Sequence, residues 1–181
     1  MCRLDKLQFP RPAHTPMTTH FDAPTVLWAK NGSARIVVQQ DGVTHEPYLS
    51  VRDRALEQRQ QSHIGEDLIV LYEFWSHFLV RNFNVGMYEE FHTLALDDLH
   101  SGSDVGGTHL VRYYDALLSG KHPVSDRIAH DIVAIAENEL GDFRPVFRTL
   151  RSAWRNGAFN LKSRKKIGDL LKPGLRAELD K

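Results

Sequence analysis

The chain's 181 residues, 41% hydrophobic and 25% charged, suit one folded globular domain with a continuous core. Its single cysteine, Cys2, excludes an internal disulfide framework and points to a reducing compartment. Basic and acidic residues balance at 23 each, and neither a bilayer-spanning apolar run nor a secretory leader is present, so a cytoplasmic protein away from membranes is expected.

Pro10, Pro12, Pro16 and Pro24 among polar residues predict an extended arm over 1–24. Residues 27–30 predict one helical turn, stopped at Asn31-Gly32. The β-branched run Ile36, Val37 and Val38, before the turn signal Asp41-Gly42, leaves strand and short helix both open. Pro47 fits a helix first turn, and Tyr48, Val51, Ala55 and Leu56 carry that helix to about Gln61.

The strongest pattern follows. Leu68, Leu71, Tyr72, Trp75, Phe78 and Leu79 recur at steps of three and four, and Met87, Phe91, Leu94 and Ala95 repeat the spacing after a break at 82–86. Two amphipathic helices joined this way form a hairpin that cannot bury its own face alone. Ser101-Gly102-Ser103-Asp104 breaks the chain before a helix with Leu110, Tyr113, Tyr114, Leu117 and Leu118. Ser125 is placed to cap a helix with Ile128, Ile132, Ile135 and Leu140, closed by Gly141. Asp142 is placed to cap the next, with Phe147, Leu150 and Trp154 on its face. A last helix over about 163–171 stops at Pro173-Gly174.

The bulky pair Phe74-Trp75 returns as Tyr113-Tyr114, 39 positions later, and Leu150 lies 37 beyond Tyr113. A period near 40 with two helices per unit predicts an all-α fold of tandem helix-turn-helix (HEAT-like) repeats in a short solenoid. The expected organisation is one helical-repeat domain over 25–172, with hairpin units at about 41–62, 67–98, 107–140 and 143–171, then a tail over 173–181.

Charge is unevenly spread. Residues 1–147 hold 13 Lys+Arg against 20 Asp+Glu, whereas 148–176 hold nine against one. A solvated basic tail is the plain reading and a docking surface for a polyanion the sharper one. Arg148, Arg151 and Arg155 fall on one helical stripe, and Lys162, Arg164, Lys165 and Lys166 extend it. Guanidinium groups bind phosphate bidentately and also stack on bases.

Three ungapped blocks carry a family resemblance: 41–44 through Tyr48 with Arg52, Arg54, Leu56 and Arg59; 71–98, with FWSHFL, FN, MYEEF and LALDD; and Val105-Gly106 with Leu110, Arg112, Tyr113 and Tyr114. They resemble the C-terminal HEAT-like repeat domain of the La-related protein 1 family, with AWRNGAFNLKSRKK suggesting a fungal-type member. The resemblance implies binding to mRNA 5′ ends, with the cap base held between two tyrosines, an acid reading the guanine edge and arginines on phosphates. Carried over, the phosphate-contacting arginine falls on Arg112. The tyrosines fall on Ala116 and Asn156 and the acid on Ser119, none of which matches. On the first hairpin an arginine, a phenylalanine and an arginine of the family fall on Glu73, His77 and Val80.

The reading is therefore single-stranded RNA binding at the mRNA 5′ region without that clamp, with proteins of the translation machinery as further partners. Its candidate contacts are Arg112, His77, Arg148, Arg151, Arg155, Lys162, Arg164, Lys165 and Lys166, with Trp154 a further stacking candidate unless it is core. The rival is a protein-interaction module, since helical repeats bind peptides as readily. A metal-dependent phosphohydrolase around His130-Asp131 lacks a second such pair, and no nucleotide-binding or nucleophile motif is present. No enzyme, metal or cofactor is expected.

Overall fold

The computed structural model describes residues 27–28, 34–39, 43–61, 65–156 and 159–181. The expected arm over 1–24 and the turns at Asn31-Gly32 and Asp41-Gly42 lie outside them. Three short strands open the described chain: β1 (Leu27–Trp28), β2 (Ala34–Gln39) and β3 (Val43–Pro47). They pair antiparallel in sequence order, with Leu27 opposite Arg35 and Ile36 opposite Glu46. The ambiguity at 36–38 resolves as strand, because the β-branched run finds a partner in 43–47. The helical turn expected at 27–30 is corrected for the same reason: Leu27 and Trp28 add to the other edge of β2.

Among the described residues from Tyr48 onward the elements are helices: α1 (Tyr48–Gln61), α2 (Glu66–Arg81), α3 (Val85–His100), α4 (Val105–Leu118), α5 (Asp126–Asn138), α6 (Pro145–Arg155), α7 (Leu161–Leu170) and α8 (Pro173–Asp180). The fold class is all-α, a short solenoid of tandem helix hairpins, with the small sheet leading into it. The described chain divides into two compact units, one ending at Phe91 and one from His92 to Lys181, so that α3 contributes to both.

In the first unit the hydrophobic stripe of α2 is buried against α1. Leu68, Leu71, Tyr72, Phe74 and Trp75 are fully enclosed, with Val51 and Ala55 facing them from α1. Rings fill the space: Tyr48 and Phe74 lie 5.2 Å apart, Phe74 and Phe78 4.8 Å, and Trp75 and Phe91 5.6 Å. The Trp75 indole N–H donates to the Tyr48 hydroxyl at 3.2 Å, and burial pushes that phenol's pKa up. Arg54 grips both Asp67, at 2.7 and 2.8 Å, and Glu46, at 2.7 Å. Arg52 chelates Glu90. The basic residues of α1 in the first matching block are thus engaged in joining elements.

In the second unit α4 packs on α6 and α6 on α8, while α5 packs on α7 and on α6. Two layers result, α4-α6-α8 and α5-α7, as tandem hairpins require. Burial carries the repeat. Leu68, Leu71, Phe74, Trp75 and Leu79 of α2 correspond to Gly107, Leu110, Tyr113, Tyr114 and Leu118 of α4, a step of 39. From α4 to α6 the step is 40: Gly106, Gly107, Leu110, Tyr113 and Tyr114 give way to Val146, Phe147, Leu150, Ala153 and Trp154. Leu150 therefore answers Leu110, not Tyr113, and the periodic partner of Tyr113 is Ala153.

Caps follow the sequence in part. The Ser125 hydroxyl accepts from the Ile128 N–H, as expected. Asp142 does not cap α6. That role falls to Glu139, 4% exposed, whose carboxylate accepts from Val146 and Phe147 N–H, each at 2.8 Å. Gly141, with φ +79°, makes the turn that lets Glu139 reach forward. The tail expected over 173–181 is corrected too. Pro173 starts a helix at its first turn, where a missing N–H costs nothing, and Leu175 and Leu179, one turn apart, are buried.

Candidate nucleic-acid interface

The 40-residue step places the sequence candidates. On α4 the exposed positions are Thr108, Arg112, Asp115 and, just past the end, Ser119; on α6 they are Arg148, Ser152 and Arg155. Under the step, Thr108 answers Arg148, Arg112 answers Ser152 and Asp115 answers Arg155. Since α4 and α6 are neighbours in one layer, Arg112, Arg148 and Arg155 lie on corresponding outward stripes of adjacent helices. One carboxylate, Asp115, shares the stripe with Arg112.

The arginines differ in what holds them. Arg148 donates to the Asp142 carbonyl at 3.1 Å and its guanidinium lies 5.7 Å from the Phe143 ring centroid. Arg155 donates to the Lys181 carbonyl at 3.0 Å. Arg151 is half-buried, with its Nε enclosed and unbonded. Among the described residues none of these three pairs with an aspartate or glutamate side chain. Other cations of the region do: Arg144 with Glu178 at 2.6 Å, Lys172 with Glu137 at 2.6 Å and Arg127 with Asp131 at 3.1 Å.

The α7 candidates separate. Lys162 and Lys165 are exposed. Lys166 bonds the Val124 carbonyl at 3.1 Å and Asp126 at 2.7 Å, so it fastens α7 to the start of α5. Arg164 lies over the Trp154 ring, 4.7 Å from its centroid. Trp154 itself is core: it is 5% exposed, its indole N–H donates to Asp180 at 2.9 Å, and a Cβ at Gly168 of α7 would meet its ring at 3.4 Å. The exposed stacking role considered for Trp154 is therefore corrected. His77 belongs to the first unit, where it is exposed on α2 with its Nε2 3.9 Å from Glu73. His130 is exposed on α5, and no group of three or more metal-ligating side chains comes together among the described residues.

Ala116 and Asn156 are 40 positions apart, so they are periodic equivalents at the C-terminal ends of α4 and α6. Ser119 is the residue that caps α4, its N–H donating to the Asp115 carbonyl at 2.9 Å. The three positions that the resemblance assigns to base recognition thus gather at one end of the α4–α6 pair.

A family model described as the LARP1 HEAT repeat region matches residues 33–144. The chain belongs to this family. The match makes it a helical-repeat domain of the LARP1 HEAT type. The match runs from β2 into the turn before α6, so the basic segment of this LARP1-type chain lies beyond it. No helix among the described residues is long and apolar enough to cross a membrane. Sequence reading did not find Glu139 and Arg144. Glu139 sits at the end of one helix and caps the next, and Arg144 spans from the Ala136 carbonyl to Glu178, links that no local spacing encodes.

Proposed function

We propose that this domain binds single-stranded RNA, at the 5′ region of messages, on the outward face shared by α4 and α6. Arg112, Arg148 and Arg155 hold phosphates there, Arg151 flanks them, and Lys162 and Lys165 extend the positive field along α7. The observation that carries the reading is the 40-residue correspondence of those stripes, joined to the absence of side-chain carboxylate partners for Arg148, Arg151 and Arg155 among the described residues. Family membership supports a cytoplasmic role in translation regulation. With Ala116, Asn156 and Ser119 in place of the stacking and guanine-reading groups, binding is indifferent to the cap.

The test is the affinity for a labelled pyrimidine-rich oligonucleotide across a salt series. Each phosphate neutralised on a single strand contributes about −0.7 to the slope of log affinity against log salt. Arg148→Ala, Arg151→Ala and Arg155→Ala together are expected to flatten that slope by roughly two. Capped and uncapped forms are expected to bind alike. No binding at low salt, or binding that neither salt nor the triple substitution changes, overturns the reading. The rival protein-binding module is favoured by Leu49, Phe83 and Val85, exposed apolar residues of the first unit, and is what remains if RNA fails.

A further inference from the structure

The eight residues of α8 and Lys181 after them lay a row of acceptors along α6. The Glu178 carboxylate takes a hydrogen bond from Arg144, the Asp180 carboxylate takes one from the Trp154 indole at 2.9 Å, and the Lys181 carbonyl takes one from Arg155 at 3.0 Å. Two leucines, Leu175 and Leu179, are its buried apolar anchors. A helix of this length is marginal in water without its partner surface. Its opening therefore belongs to the low end of the local unfolding spectrum, well below loss of the whole unit.

What α8 covers matters more than what it is. Arg144 and Arg155 are the guanidinium groups at the two ends of α6, and Trp154 carries Arg164 over its ring. The Trp154 ring itself stays under Arg164 and against α7, so what α8 occupies is its indole N–H and the two guanidinium groups, all donors suited to phosphate oxygens. Phosphate oxygens can replace the two carboxylates and the carbonyl as acceptors for these donors.

We propose that α8, with Lys181 after it, is a displaceable strap, whose two carboxylates and one carbonyl compete with a single-stranded polyanion for Arg144, Arg155 and the indole N–H of Trp154. The natural polyanion is RNA, so this inference rests on the RNA-binding reading, but displacement itself needs only a phosphate chain. While the strap is docked the affinity is lowered by the fraction of molecules in which it is open.

The test compares the full chain with the double variant Glu178→Gln and Asp180→Asn, which keeps both leucines. A charge-matched control, Glu57→Gln with Asp169→Asn, removes two acids elsewhere. A uridine-rich oligonucleotide and inorganic polyphosphate are the two probes, and amide exchange over 173–181 reports the strap. The strap variant is expected to bind RNA about five- to tenfold more tightly, as for a strap docked in most molecules. The control is expected to change little, and saturating RNA is expected to speed α8 exchange in the unaltered chain. Equal RNA affinity in all three proteins, with α8 exchange unmoved by bound RNA, overturns the strap and leaves RNA binding standing. Polyphosphate held more tightly by the strap variant while RNA binds none of them keeps the strap and sinks the RNA reading. Failure of both probes to bind overturns both.

Discussion

A carboxylate that is almost wholly buried yet accepts two backbone N–H bonds is pulled both ways, and at Glu139 burial wins: its pKa is raised to about 7. Because the folded value lies above the ordinary 4.5, the folded protein holds an extra proton between the two. The stability tied to that proton is fully present below pH 4.5, fades as pH rises and is gone above about pH 7. Urea titrations from pH 5 to 8 should show a loss on the order of 2–3 kcal/mol across that window, and Glu139→Gln should flatten it. Asp67 has the opposite sign. The Arg54 guanidinium beside it holds its carboxyl below the usual range, so its contribution is present at neutral pH and is lost on acidification through the folded value. Arg54→Ala is expected to weaken the α1–α2 junction by about 1–3 kcal/mol, read by urea unfolding at pH 7. Neither role was visible in the sequence. Asp142 stood where a cap is usually sought, and a glutamate seven residues ahead of the N–H it serves has no local signature.

Among elements, α8 is where sequence reasoning stopped short. Pro173-Gly174 is a stop signal to a preceding helix and equally a start signal to a following one. What decides is whether Leu175 and Leu179 find a surface, and only the fold supplies α6. Leu179→Ala removes the more deeply buried anchor, a change worth about 2–4 kcal/mol in a well-filled core. Its expected effect is local: amides of 173–181 should exchange at least tenfold faster in hydrogen-exchange mass spectrometry, with those of α4 and α5 little altered. The other elements were legible to the extent that their own periodicity carried them. α2 buries the whole stripe its spacing marks, α4 most of its own, and α3 Phe91 and Ala95 of its stripe. α5 buries Ile128, Ile132 and Ile135 but ends at Asn138, so Leu140, expected on the same stripe, is 44% exposed. The strand at 27–28 depends on partners in β2.

At the scale of the molecule the repeat was legible because burial, not identity, recurs. The same register that fixed the fold also located the candidate face, by setting Arg112 against Ser152 and Ala116 against Asn156. It supports a constructive prediction. Ala116→Tyr and Asn156→Tyr, with Ser119→Asp, should create a preference for capped over uncapped RNA of tenfold or more, since each base-stacking aromatic is worth roughly 1–3 kcal/mol. Competition with a cap analogue measures it, and no preference would mean that the two helix ends do not face a common ligand.

The loop joining α4 to α5 is clamped from the far side of the chain. Asn160 bonds the Lys121 carbonyl, Ser163 receives the Val124 N–H at 3.0 Å, and Lys166 holds the Val124 carbonyl. An expression clone ended at residue 144, where family similarity stops, would strip the loop of these bonds and uncover the apolar faces of α4 and α5 that α6 and α7 bury. Such a fragment should be insoluble or proteolysed quickly, while one carried through Lys181 should survive trypsin, so the recombinant boundary is set by three polar side chains of α7 and its cap.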